Sequence, residues 1–190
     1  MKQLEEITQL LSHGEQILWA SSSVPGEFMD SDNKARNIRW FIGVAAAFAV
    51  LMLLYTRAVV QAGTNAFNVV TGLIVILSAV IFLDPICTYR KLQKVEYIIT
   101  NKRVLVYCSS SSNFSLPIAK ASPVRVLDDG NGYTTLVIGP EAGAGRPERL
   151  RSYGVVGRAV TEGESNTRYP VLYHVADADK ALAILESTAG

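Results

Sequence analysis

The chain has 190 residues, enough for one ordinary domain or for a small domain joined to a membrane segment. Its apolar fraction of 49% is near the globular average, and a formal net charge of +1 gives no general reason to expect a nucleic-acid partner. Its two cysteines, Cys87 and Cys108, form no CxxC or other metal-ligand spacing, so free thiols are expected and nothing points to a metal site.

In chain order, residues 2–12 (KQLEEITQLLS) put Leu4, Ile7, Leu10 and Leu11 on one side of a short amphipathic helix. Glu5 and Glu6 do not make the basic face of a surface anchor, which favours packing on the domain. His13-Gly14 ends that helix, and residues 16–20 (QILWA) read as a brief strand. A polar connector, residues 21–37, is acidic at Glu27, Asp30 and Asp32 and then turns basic.

Residues 40–56 (WFIGVAAAFAVLMLLYT) and 66–83 (AFNVVTGLIVILSAVIFL) carry no charge. As helices they span roughly 25–27 Å at about 1.5 Å per residue, slightly under the ~30 Å hydrocarbon core, and Trp40 and Tyr55 suit the interface. Neither has a polar face, which speaks against buried helices of a soluble protein and for a two-helix membrane hairpin. The first segment starts after 39 residues, with no convincing small-residue cleavage site, unlike a secretory signal. Lys34, Arg36 and Arg39 precede the hairpin and Arg90, Lys91 and Lys94 follow it, while the loop 57–65 carries Arg57 alone. The positive-inside rule then places both termini in the cytoplasm of a two-pass protein of the cell membrane. Asp84-Pro85 closes the second segment: Pro85 is expected to stop the helix and Asp84 to sit at the cytoplasmic interface. On that side the sequon-like Asn113-Phe114-Ser115 is inaccessible to glycosylation.

After Lys94 the texture changes to short β-prone runs at 95–100, 104–108, 113–118, 124–129 and 133–139. Alternation in the first puts Tyr97 and Ile99 on one face and Ile98 and Thr100 on the other. Asn101 suits a tight turn, the serines 109–112 a flexible link, and Asp129-Gly130-Asn131-Gly132 a hairpin. Residues 140–169 are rich in glycine and charge and longer than an ordinary loop; SYGVVGRAV within them reads as a strand pair and the rest as a mobile insertion. The end reads as a strand at 171–175, with Asp177 capping a helix that carries the stripe Ala181, Leu182, Leu185. The expected fold is α+β: a segment over 1–38, a transmembrane hairpin over 39–84, and a cytoplasmic antiparallel β-barrel or sandwich over 95–190 closed by a C-terminal helix.

Several phrases resemble one family. Tyr97, Thr100 and Arg103 in YIITNKRVLV match the Y-x-x-T-x-x-R hairpin of the bacterial PH-like (bPH) domains, small membrane proteins of largely unassigned function. GEQILWASSSVPG, with Trp19 and Pro25, resembles the segment that precedes two membrane helices in that family. LPIAKASPVRVLDDGNGYTTLVIG and VLYHVADADKALAIL resemble its later strands and closing helix, so the likeness touches most of residues 14–190. The chain departs from the family in the length of 140–169 and in Ala121, where an isoleucine is usual. The resemblance implies a PH-like fold and, in some members, oligomerisation; the PH name does not imply phosphoinositide binding.

No catalytic grouping stands out. His13 and His174 are far apart in sequence, and His174 alternates with Tyr173 in a strand as a solvent-facing or core-edge residue. Cys108 has no sequence-defined base, Asp128-Asp129 belong to a turn, and Gly139, Gly143 and Gly145 lack the G-K-S/T of a P-loop. The expectation is a noncatalytic, cofactor-free module. It is anchored in the lipid bilayer and associates with itself or with another membrane protein, without nucleic acid. A channel or transporter subunit and an anionic-headgroup binder are the alternatives. Lys91, Lys94, Lys102 and Arg103 are the candidate headgroup or partner contacts, read first as membrane-facing charges.

Overall fold

The computed structural model describes residues 11–29, 31–63, 69–108, 114–128, 132–140, 149–162 and 165–188. The chain is mixed α+β and divides into two compact units, Glu27–Cys87 and the combination of Met1–Gly26 with Thr88–Gly190.

The first of these units is helical. Helix α1 (Ser31–Gln61) and helix α2 (Val69–Leu92, which runs on past the unit) are long and apolar enough to cross a membrane. No residue of the most apolar stretch of α1 is buried, so leucine, valine and isoleucine side chains face outward all along it. Phe41 meets Phe82 with ring centroids 4.8 Å apart.

Pro85 does not stop α2, contrary to expectation; it lies inside the helix. Proline lacks the N–H that would bond the carbonyl four residues earlier, that of Ile81. The indole Nε1 of Trp40 donates to that same carbonyl at 3.3 Å, so the freed acceptor is satisfied from the neighbouring helix and α2 continues.

The other unit is built of antiparallel ladders. Strand β1 (Ile17–Ser22) precedes the helices, yet pairs with β2 (Val95–Thr100), which follows them. The helices are thus an insertion between two hydrogen-bonded neighbours, and β1 belongs with the later strands rather than with a separate N-terminal segment. β3 (Arg103–Cys108) and β4 (Phe114–Pro117) complete a sheet of order β1-β2-β3-β4. A second sheet joins β5 (Val124–Asp128), β6 (Thr134–Ile138) and β9 (Val171–Val175), and β7 (Arg158–Glu162) pairs with β8 (Ser165–Tyr169). These are separate ladders, and no closed barrel forms among the described residues.

Alternation on β2 works as the sequence predicts. Val95, Tyr97 and Ile99 enter the main core with Val104, Val106, Leu136, Ile138 and Leu172, while Ile98 joins Leu105 and Tyr107 on the other face. Leu11 packs on that second cluster. Residues 2–10 of the expected helix lie outside the described residues, as do serines 109–112, Asn113, Asp129 to Asn131, and Gly143 and Gly145. The closing helix α4 (Ala178–Thr188) contributes Ala178, Ala181 and Leu185 to the core, so the predicted stripe is largely the buried one.

Within the stretch 140–169, residues 150–156, 158–162 and 165–169 form regular elements. The stretch read as a strand pair is instead helix α3 (Leu150–Val156) followed by β7. Gly154 lets this helix pack closely, because a Cβ at that point would lie 2.7 Å from the Tyr97 hydroxyl and 2.8 Å from the Tyr173 Cβ. Gly157, at φ +70°, turns the chain out of the helix into β7.

Candidate functional site

The first β-hairpin gathers most of the polar residues singled out by sequence. Thr100 ends β2, and its hydroxyl accepts from the amides of Lys102 (3.2 Å) and Arg103 (3.0 Å), which shapes the turn. Its Oγ1 also lies 2.8 Å from Glu15 Oε1. Arg103 grips the same carboxylate with two nitrogens, Nε to Oε1 at 2.8 Å and Nη2 to Oε2 at 3.0 Å. The amide of Ser12 donates to Oε2 at 2.8 Å. The Glu15 side chain has no exposed surface. The hydrogen bond from Arg103 is the largest influence on its carboxyl; against the opposing effect of burial it holds the pKa down to about 2, from an ordinary 4.5.

Asn101 and Lys102 extend this fastening. The Asn101 side chain accepts from the Gln16 amide at 2.9 Å and donates to the Gly14 carbonyl at 3.2 Å, and Lys102 Nζ donates to the His13 carbonyl at 2.8 Å. Every residue of the turn from Thr100 to Arg103 therefore holds the segment leading into β1. Arg103 is not an open headgroup ligand: its guanidinium is committed to Glu15.

Tyr97 plays the same part inside the core. Its hydroxyl donates to the Gly154 carbonyl at 2.9 Å, pinning α3, and burial pushes its pKa well above the ordinary tyrosine value. Trp19 is buried in the same core, and Pro25 is buried in a segment held by Ser23 Oγ to the Tyr173 carbonyl (2.9 Å) and by Tyr89 to the Gly26 carbonyl (2.9 Å).

The four candidate cations do not form one patch. Lys91 and Lys94 are exposed where α2 gives way to β2, whereas Lys102 and Arg103 lie beyond its far end. A six-residue strand is roughly 17–20 Å long, too far for one headgroup to bridge.

His174 is a core-edge residue, 9% exposed, but it does not alternate with Tyr173. Its φ of 49° turns the ring back so that it stacks on Tyr173, with centroids 4.0 Å apart. Its Nδ1 lies 3.2 Å from the Val24 carbonyl, and its own carbonyl accepts from the Val24 amide at 3.1 Å. The ring thus clips the segment after β1 instead of facing a nucleophile. Among the described residues no group of three His, Cys, Asp or Glu is placed to hold a metal ion.

Sequence reasoning missed Glu15 and the buried arginines Arg151 and Arg158. Arg151 sits over the Tyr89 ring, 5.3 Å from its centroid. The one advance signal for Glu15 was its place in the GEQILW phrase; its partner Arg103 is 88 residues away, beyond any local spacing rule. Comparison of the chain with protein-family models, with curated proteins and with solved structures gives no match.

Proposed function

We propose that the chain is a two-pass, membrane-anchored bPH-type protein whose sheet unit, held at the cytoplasmic face, is a noncatalytic module for oligomerisation or for binding another membrane protein. The observation that carries this reading is the insertion of two outward-apolar helices between the adjacent strands β1 and β2. Such surfaces need lipid or protein around them, and the chain passes directly from the sheet strands into the helices and back. The basic residues Lys34, Arg36, Arg39, Arg90, Lys91 and Lys94 at the two outer ends, against Arg57 alone in the loop region, support cytoplasmic termini.

The PH-like assignment is supported by the order of antiparallel strands ending on a helix and by the engagement of Trp19, Tyr97, Thr100 and Arg103 within one unit. Those side chains join segments of the unit together and hold its fold. A transporter reading has less support: the groove between the helices is lined by apolar residues such as Val44, Phe48 and Phe82, with Ser78 as its polar group.

Two measurements test the proposal. An Ala62→Cys variant, probed with a membrane-impermeant maleimide on intact cells, is expected to label, while Cys87 is not. Crosslinking in native membranes followed by purification is expected to recover the chain joined to a second copy or to one stoichiometric partner. Label confined to Cys87, or a chain recovered alone, overturns the reading.

A further inference from the structure

Arg158 is 2% exposed, yet its charge has almost nothing to hold it. Nη2 donates to the Ile138 carbonyl at 3.0 Å, whereas Nε and Nη1 have no hydrogen-bond partner. A guanidinium taken out of water normally has a carboxylate or several acceptors around it, because its desolvation far outweighs one neutral hydrogen bond. Among the described residues the ionisable groups that act on it are Arg125, Tyr153 and Tyr169. Burial, reinforced by Arg125, disfavours the charged form.

The surroundings are assembled from four strands. Tyr169 on β8 stands directly opposite Arg158 on β7. The Tyr169 ring lies against Gly139, where any Cβ would overlap it. On the next strand Val124 pairs with Ile138 and Arg125 with Val137, so Arg125 stands one rung from the carbonyl that Arg158 touches. Arg125 itself is exposed.

We propose that Arg158, with Arg125 and beside Tyr169, forms an anion site that takes a phosphate group, either as a free phosphate or on a lipid headgroup. Phosphate matches the arrangement because its several oxygens accept from arginine nitrogens of both side chains at once, and because its double charge offsets two guanidinium groups. The site is separate from Lys91, Lys94, Lys102 and Arg103, and it does not depend on the fold or function proposed above.

The test uses the full chain in phosphatidylcholine nanodiscs, with thermal unfolding of the sheet unit followed as sodium phosphate replaces sodium chloride at constant ionic strength. Phosphate well above its dissociation constant is expected to raise the melting temperature by roughly 3–5 °C. Arg158→Leu, which removes the unpaired charge but keeps apolar bulk, is expected to fold and to lose the rise. Arg125→Gln, at an exposed position, keeps the test decisive should Arg158→Leu not fold: it is expected to weaken the phosphate response about five- to tenfold. A response to nanodiscs containing phosphatidylinositol 4-phosphate, without one to inorganic phosphate, assigns the site to a headgroup; the reverse assigns it to free phosphate. No response to either in the parent chain, or an equal response in the parent and Arg158→Leu, overturns the proposal.

Discussion

In the helical unit the large aliphatic side chains point outward: Val50, Leu54 and Ile76 are each more than half exposed. In the sheet unit Leu92, Ile99 and Leu136 have no exposed surface at all. The polar groups differ correspondingly. Between the helices a polar atom is answered singly, as when Trp40 supplies the bond that Pro85 removes from Ile81. Under the first β-hairpin, Glu15 collects Arg103, Thr100 and Ser12 around one carboxylate. The sheet unit can bury the Glu15 charge because its folding brings partners from distant segments. Helices that present apolar surface all round have only each other, so their interior carries neutral hydrogen bonds instead.

The strongest way to break this contrast is to remove one member of the charged cluster. Arg103→Met leaves Glu15 buried without its main partner and is expected to cost the sheet unit about 3 kcal/mol in chemical denaturation. Glu15→Met with Arg103→Met should recover most of that loss, since no charge is then stranded. A double variant as unstable as the single one would mean that shape, not charge, holds the segment.

Acid probes the same pair more gently. Glu15 titrates near 2 in the folded chain, against an ordinary 4.5. Its contribution is therefore complete above pH ~4.5 and is lost progressively as pH falls toward 2, by roughly 2–3 kcal/mol in all. The difference in stability between the parent and Glu15→Gln should shrink over that window and be flat above it. Denaturation midpoints at a series of pH values measure this directly.

A neutral test of core fit follows from Gly154. The methyl of Gly154→Ala meets the Tyr97 hydroxyl and the Tyr173 Cβ, and is expected to cost about 2 kcal/mol. In a Tyr97→Phe background the same change should cost less, because one of the atoms in its way is gone. Equal costs in both backgrounds would show that α3 packs elsewhere.

The smallest effect is expected between the helices. Trp40→Phe should destabilise their association by about 1 kcal/mol, and adding Pro85→Ala should restore it by returning the N–H that Ile81 lacks. Steric-trapping measurements on the helical pair can resolve the difference, while the melting of the sheet unit stays unchanged.

What the sequence revealed follows the same division. Strands such as 95–100 and 171–175 are written in local periodicity and emerge where the pattern puts them, whereas the two apolar spans lie within longer helices, 31–61 and 69–92. Three features depended on contacts distant in sequence. Val155 and Val156 favour strand locally, but the segment is helix α3, packed closely where Gly154 fits beneath Tyr97. Pro85 reads as a helix end until Trp40, on the other helix, is placed beside Ile81. Thr100 and Arg103 are conspicuous as a motif, but their purpose needs Glu15, which arrives from before the helices. Arg158 had no local signature, since only the assembled strands show its charge to be buried.

The proposed function rests most heavily on the idea that this module does not act as a single copy. Native mass spectrometry of the protein released from mildly crosslinked membranes tests it directly. The account predicts a discrete species at a multiple of 20.6 kDa, or one copy with a stoichiometric partner. A lone chain of 20.6 kDa in every detergent used would contradict it.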